Sequence, residues 1–213
     1  MLTFRVLSAF LRYPTPELKA QLAEAEHIVC SEGLLGAEHI KGVCAFLDYL
    51  RKTPQLDAES AYLDAFDRGR SSSLYLFEHI HAESRERGQA MVKLLLRYRA
   101  HGLDPSTREL PDYLPLFLEF LSTRPPAEAA KHLAEVADII ALIGERLRRR
   151  GAPHAALLEA VASLAPQGAG AAAPEIEVDS VDRDDTPAAL DAAWEEAPVV
   201  FNDAHGAPGA TTR

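Results

Sequence analysis

The chain has 213 residues, enough for one good core or two small ones, and its 47% apolar and 25% charged residues are an ordinary globular composition. No run of 18 apolar residues occurs, so no stretch reads as a transmembrane helix. The net charge is −10, yet residues 166–213 hold 10 of the 32 carboxylates and only 2 of the 22 Lys and Arg; a near-neutral body with an acidic tail argues against nucleic acid as a partner and permits a basic one.

The start, from Met1 to Arg5, lacks the basic region, apolar run and small-residue cleavage site of a signal peptide, and a cytoplasmic location is the expectation. A first helix is predicted from about residue 2 to residue 12, with Leu2, Val6, Leu7, Phe10 and Leu11 on one side. Thr15-Pro16-Glu17 is a helix-start signal, followed at helical spacing by Leu18, Leu22, Ala25 and Val29. After Gly33 and Gly36 comes a stripe of Ile40, Val43, Cys44, Leu47 and Leu50, and Thr53-Pro54 opens the next helix, closed by Tyr62, Leu63 and Phe66. Cys30 and Cys44, the two cysteines, fit no metal-ligand spacing and read as small buried apolar residues.

From about Ser84 to His101 a long helix is predicted with Met91, Leu94, Leu95 and Tyr98 inward, ended by Gly102. A short helix carrying Leu114, Phe117, Leu118 and Leu121 follows, with Pro115 in its first turn and Asp112 available as its cap. Pro125-Pro126 opens a long stripe through Leu133, Val136, Ala137, Ile140, Ile143, Gly144 and Leu147. Arg146, Arg148, Arg149 and Arg150 complement its C-terminal dipole. A last helix bears Leu157, Leu158, Val161 and Leu164. The fold class is therefore all-α: a single-domain bundle of about seven to nine helices over residues 1–165, followed by a disordered acidic tail over 166–213. Within that tail Trp194, Val199, Val200 and Phe201 form a candidate docking segment at 194–201, for this protein or a partner; filling the protein's own groove with Trp194 and Phe201 would be autoinhibitory.

Residues 62–89 break the helical pattern. Tyr62, Phe66, Tyr75 and Phe77 interleave with Asp67, Arg68, Arg70, Glu78, His79, His81, Glu83, Arg85 and Arg87, whereas a helix built only for packing segregates such groups. As a helix, 74–81 would stack Tyr75 over His79; as a strand, it would align Glu78 with Leu76 and Ile80. Four readings compete. A metal site, and with it a metal-dependent hydrolase using His79 and His81, lacks the HExxH spacing. Acid–base catalysis by Glu78 or Asp67 lacks a nucleophile or phosphate loop. A buried ionic network would pair Asp67 or Glu78 with Arg70, Arg85 or Arg87, and it is compatible with the fourth reading, a peptide groove lined by aromatics and rimmed by carboxylates.

The runs Tyr62-Leu63-Asp64-Ala65-Phe66-Asp67-Arg68, Ser73-Leu74-Tyr75-Leu76-Phe77-Glu78-His79-Ile80-His81, Glu83-Ser84-Arg85-Glu86-Arg87-Gly88-Gln89-Ala90-Met91 and Glu109-Leu110-Pro111-Asp112-Tyr113-Leu114-Pro115-Leu116-Phe117-Leu118-Glu119 resemble the nitrate reductase molybdenum cofactor assembly chaperones, the NarJ or delta-subunit family, over roughly residues 4–165. Ala82 stands where the family pattern leads one to expect glycine, and an Ala/Gly linker precedes the tail. The resemblance implies the all-α fold shared by chaperones of molybdoenzymes, no catalytic activity and no cofactor of its own. It implies a partner, the catalytic (alpha) subunit of respiratory nitrate reductase, bound through its N-terminal segment until the molybdenum cofactor and iron–sulfur cluster are in place. The chaperone would then leave and form no part of the final enzyme. A twin-arginine signal-peptide-binding chaperone of another molybdoenzyme would share the fold. For the groove and its support the motif matches imply Tyr62, Phe66, Asp67, Arg70, Tyr75, Glu78, His79, Arg85, Asp112 and Tyr113.

Overall fold

The apolar stripes condense into helices because each stripe must be buried against another. The computed structural model describes residues 1–80, 85–105 and 109–166, apart from the side chains of Arg85 and Glu86. Ten α helices lie among the described residues: α1 (Leu2–Phe10), α2 (Pro16–Lys19), α3 (Leu22–Ser31), α4 (Ala37–Lys52), α5 (Gln55–Phe66), α6 (Arg85–Ala100), α7 (Leu114–Ser122), α8 (Pro126–Ala134), α9 (Ala137–Arg149) and α10 (Ala155–Ser163). Two 3-10 turns, Arg70–Ser72 and Leu76–His79, stand between α5 and α6. The all-helical reading holds. The helix number is higher than about seven to nine because two stripes are broken within their apolar register. Ala20 and Gln21 separate α2 from α3, and Glu135 and Val136 separate α8 from α9. None of the described helices is long and apolar enough to cross a membrane.

Two packed groups carry the core. The first pairs α1 with α7 in antiparallel register. The N-terminal ammonium of Met1 donates to the Ser122 carbonyl at 2.6 Å, and Ser8 Oγ donates to the Pro115 carbonyl at 2.6 Å. Glu32, from the end of α3, closes the start of α1 by accepting the backbone N–H groups of Leu2 and Thr3 at 2.8 and 2.5 Å. That carboxylate replaces the missing local cap, since Met1 at the N-cap supplies no side-chain bond. The second group lays α10 between α9 and α4. A Cβ added at Gly144 would sit 3.2 Å from Leu158 Cβ, and one at Gly42 would sit 3.5 Å from Ala156 Cβ, so the glycines allow α10 its close approach. α9 and α10 are therefore antiparallel, with 144 opposite 158 and the turn at Gly151 joining their near ends.

Several side chains depart from the stripe reading. Phe4 and Phe46, outside the stripes, join the core, while Leu2, placed on the inward side, is exposed. Cys30 and Cys44 are not buried as expected: Cys30 is exposed and Cys44 half-buried, with their Sγ atoms 3.9 Å apart. The reason is rotational. α3 buries Leu22, Ala25 and Val29, and α4 buries Val43, Phe46, Leu47 and Leu50, which leaves both thiols on the flank of the seam. Partial burial, then the neighbouring Cys30, pushes the Cys44 thiol up to about 11, so it stays protonated.

His154 begins α10 inside an aromatic box, its ring 5.1 Å from Phe46, 5.1 Å from Phe66 and 6.0 Å from Tyr62. Burial lowers its pKa from 6.5 to about 4, so the folded protein holds it neutral. As pH falls through that window the unfolded chain takes up a proton first, and stability drains toward the acid side. His154→Phe removes that slope. Denaturant unfolding at pH 7 and pH 4.5 should show the wild type losing up to about 3 kcal/mol more than the variant from this group; equal losses would mean that the imidazole titrates normally.

Candidate peptide-binding site

Residues 70–79 form neither the helix nor the strand that their ambiguous period allowed. They make two tight turns, held from outside. Ser72 Oγ donates to the Ala65 carbonyl, and Arg150 in turn donates to Ser72 Oγ. Arg146 donates to the Ser71 carbonyl at 2.7 Å, so the arginines that end α9 grip this segment besides complementing their helix dipole. Ser73 Oγ accepts from Tyr75 N at 3.2 Å, and His79 Nε2 donates to the Ser73 carbonyl at 2.9 Å.

The second turn is then stitched to the segment before α7. An isolated antiparallel bridge pairs Tyr75 with Tyr113: Leu76 N donates to the Asp112 carbonyl at 3.0 Å, and Leu114 N to the Leu74 carbonyl at 2.8 Å. Asp112 does not cap α7, whose N-cap is Tyr113 with no side-chain bond. Its carboxylate instead accepts Phe77 N–H at 3.0 Å, capping the start of the 3-10 turn Leu76–His79 from 35 residues away. Asp112 is 0% exposed, and its other oxygen has no partner among the described residues. Burial raises its pKa, against the opposing pull of the Phe77 N–H and the Arg87 guanidinium. Arg87 also reaches Glu78 at 3.4 Å, one of the ion pairs anticipated from the mixed charges.

This stitching aligns the aromatics. Tyr75 and Tyr113 lie with ring centroids 5.3 Å apart, Tyr62 packs on Phe66 at 5.1 Å, and Tyr13 meets Tyr62 edge-on at 5.6 Å. Tyr62 donates to the Leu11 carbonyl at 3.2 Å and lies 3.5 Å from the Tyr113 hydroxyl; Tyr75 donates to Glu109 at 3.3 Å. Burial, followed by Glu109, pushes the Tyr75 phenol up to about 12, and burial raises Tyr62 and Tyr113 too, so all three remain neutral donors. Beside them opens a cleft of about 510 Å³ lined by Tyr13, Leu103, Tyr113 and Leu116, with Asp104, Glu109 and Glu119 on its rim. Arg12 pairs with Glu119 at 3.0 Å across that rim. A smaller, apolar cavity of about 180 Å³ lies beneath α6, between Leu76, Phe77, Leu94, Phe117 and Val136.

The structure thus brings Tyr62, Phe66, Tyr75, Asp112 and Tyr113 into one assembly, with Glu78 and His79 bracing the turn behind it. Asp67 and Arg70 are exposed, at the end of α5 and on the first 3-10 turn. The Arg85 side chain, like His81 and the whole of 194–201, lies outside the described residues. The residue reading overlooked Arg12, Tyr13, Glu109 and Glu119 as site members. The available signal was the pair of glutamates bracketing the apolar run 110–118.

The in-trans cap is testable through stability. Asp112→Ala takes away the acceptor that Phe77 N–H uses and should cost about 1–3 kcal/mol in urea unfolding. Asp112→Asn keeps an acceptor and sheds the buried charge, so it should cost clearly less. The raised carboxyl pKa also sets a sign: the native state binds this proton more readily, so wild-type stability gains from this group as pH falls through the window above 3.8, and both variants lose that gain. Equal cost for Ala and Asn would reduce Asp112 to packing alone.

Residues 37–160 match the nitrate reductase delta subunit family. The chain is similar to the nitrate reductase molybdenum cofactor assembly chaperone NarJ of Escherichia coli (strain K12), 41% identical over 201 residues that cover 94% of this chain and 85% of the relative. It is also similar to the probable nitrate reductase molybdenum cofactor assembly chaperone NarW of the same organism, 51% identical over 156 residues, 73% of this chain and 68% of the relative. The probable chaperone NarJ of Bacillus subtilis (strain 168) is 28% identical over 160 residues, 74% of this chain and 84% of the relative. With more than half its length matched by the family and a 41% identical relative covered over most of its own length, the chain belongs to the nitrate reductase delta subunit family, molybdenum cofactor assembly chaperones rather than enzymes.

Proposed function

We propose that this chaperone works in the cytosol on nitrate reductase, holding the N-terminal segment of the enzyme's catalytic subunit in the tyrosine-lined cleft. In this reading it keeps the subunit competent for molybdenum cofactor and iron–sulfur cluster insertion before membrane assembly, and then leaves. The single observation that supports it is an open cleft lined by Tyr13, Leu103, Tyr113 and Leu116, with three carboxylates, Asp104, Glu109 and Glu119, against one cation, Arg12. An amphipathic segment lays its apolar side on such a lining, and its basic side chains meet the rim, as helix-in-groove partners do. Tyr13 and Tyr113 supply rigid surface, Tyr62 and Tyr75 pack against them as support, Phe66 backs Tyr62, and Asp112 with Glu78 and His79 holds the wall in place. Asp67, Arg70 and Arg85 belong to the proposed set through the motif resemblance.

Calorimetric titration with a synthetic peptide of the catalytic subunit's N-terminus checks this directly. Binding is expected, and Glu109→Lys combined with Glu119→Lys should weaken it by about tenfold or more, with the difference shrinking at high salt. Helicity by circular dichroism should be unchanged, because both side chains are on the rim. Wild-type affinity in that double variant moves the site elsewhere, and absence of any heat with the unmodified protein removes the proposed client segment.

A further inference from the structure

α6 carries an exposed stripe that the cleft does not use. Val92 and Leu96 are 56% and 58% exposed, one turn apart, with Gly88 one turn before and Arg99 one turn after on the same face. Lys93 flanks the stripe and makes no ion pair among the described residues; Arg99 makes only an exposed pair with Asp104. The inward side of the same helix is satisfied separately: Leu94 and Tyr98 are buried, Tyr98 donates to the Pro111 carbonyl at 2.8 Å, and Arg97 pairs with Glu135 at 3.0 Å. Residues 85–100 hold five Lys and Arg against one Glu, so α6 is a basic helix with an uncovered apolar row. Contiguous exposed apolar surface rimmed by polar groups marks an interaction site, and Val92 and Leu96 form the start of such a patch.

The complement lies in the same chain. Residues 167–213 carry ten carboxylates and two arginines. Their large apolar side chains include Trp194, Val199, Val200 and Phe201, close to Asp191, Glu195, Glu196 and Asp203. The antiparallel register of α9 and α10 carries the chain's exit at Ala165 back to the start of α9. Val136 and Glu135, immediately before that start, line the cavity beneath α6 with Leu94 and Arg97. The 28 residues between Ala165 and Trp194 reach as far as about 90 Å if extended, so the span to the outer face of α6 is no obstacle. Charge then chooses between surfaces. The tyrosine-lined cleft presents Glu109 beyond its Arg12–Glu119 pair and repels an acidic segment, whereas α6 presents Lys93 beyond the Arg99–Asp104 pair that stands between the two surfaces.

We propose that residues 191–203 dock on the outer face of α6, with Trp194 and its apolar neighbours over Val92 and Leu96 and the adjacent carboxylates facing Lys93 and Arg99. The tail then shields a basic apolar helix while leaving the cleft open. The chain has a single tryptophan, so the full-length protein reports on this contact without labelling. Its fluorescence should be blue-shifted and shielded from acrylamide relative to free tryptophan amide, at every protein concentration. Val92→Asp combined with Leu96→Asp, at positions already in solvent, should return emission and quenching to those of the free amide while circular dichroism stays unchanged. Lys93→Glu with Arg99→Glu should move both partway, and added salt should move the wild type likewise. Free-amide emission in the wild type overturns the proposal, as does shielded emission that the Val92 and Leu96 changes leave in place. Shielding that vanishes on dilution assigns the contact to a second copy's tail and overturns it as well.

Discussion

The carboxylate of Asp112 on the N–H of Phe77 is the constraint around which the site is arranged. Residues 70–79 have no apolar stripe long enough to form a helix, and a four-residue 3-10 turn is not stable by itself. Their geometry must come from elsewhere, and it does. α9 supplies Arg146 and Arg150, α5 supplies the Ala65 carbonyl, and the segment before α7 supplies one bridge and one buried carboxylate. The same bridge sets Tyr75 opposite Tyr113, which in turn brings the Tyr113 hydroxyl to that of Tyr62. A buried charge that serves one backbone donor costs desolvation, visible in its raised pKa, and Arg87 offsets part of that cost.

Among the described residues, carboxylates act as caps across the chain twice, and both escape a reading of periodicity. Glu32 closes α1 and Asp112 closes the turn at Phe77, whereas Thr15, a local cap three residues before Leu18, was legible from its Thr-Pro-Glu context. Local signals depend on spacing along the chain and can be read there. An acceptor 29 or 35 residues from its donor has no such signature. The same distinction explains the helices. Stripes such as Ile140, Ile143 and Leu147 announce helix existence, because burial of one face is a local pattern. The break at Glu135 and Val136 leaves that pattern in phase, so α8 and α9 look continuous. Cys30 and Cys44 show the limit in another way: each lies next to a buried stripe, and a rotation of one position decides between core and flank.

For the site, the sequence revealed which residues are unusual but not what each does. Tyr62, Tyr75 and Tyr113 stand out because aromatics mixed with charges serve a packing helix poorly, and the structure joins them. Asp112 was notable for its place before an apolar helix, and its function turned out to be directed at a different segment. Glu109 and Glu119 were invisible as rim residues because a glutamate at the edge of an apolar run is ordinarily just a solvated end. Only the fold shows that both ends of that run face the same opening, together with Arg12 and Tyr13 from the segment after α1.

The distribution of charge over this frame has a mechanical consequence. The cleft is lined by the phenols of Tyr13 and Tyr113, with Tyr62 packed behind them, and burial raises the pKa of Tyr62 and Tyr113, so both stay neutral; the ionised groups of the lining are exposed to water. Rim ion pairs contribute about 0–1 kcal/mol each, so on the proposed reading they would orient a basic segment without holding it for long. Most of the attraction must then come from apolar contact with tyrosine and leucine, which is lost as soon as the segment has a better place to bury its own apolar face. An assembly chaperone needs that balance. Its grip must exceed what solvent offers an unfinished subunit and fall short of what the finished subunit offers its own chain. A cleft with buried, paired charges would fail on the second count, since breaking such pairs on release leaves one partner stranded in a dry site. On the proposed reading, confining charge to the rim, and assigning Asp112, the one buried carboxylate among the described residues, to the protein's own backbone, would meet both conditions with a single arrangement of helices.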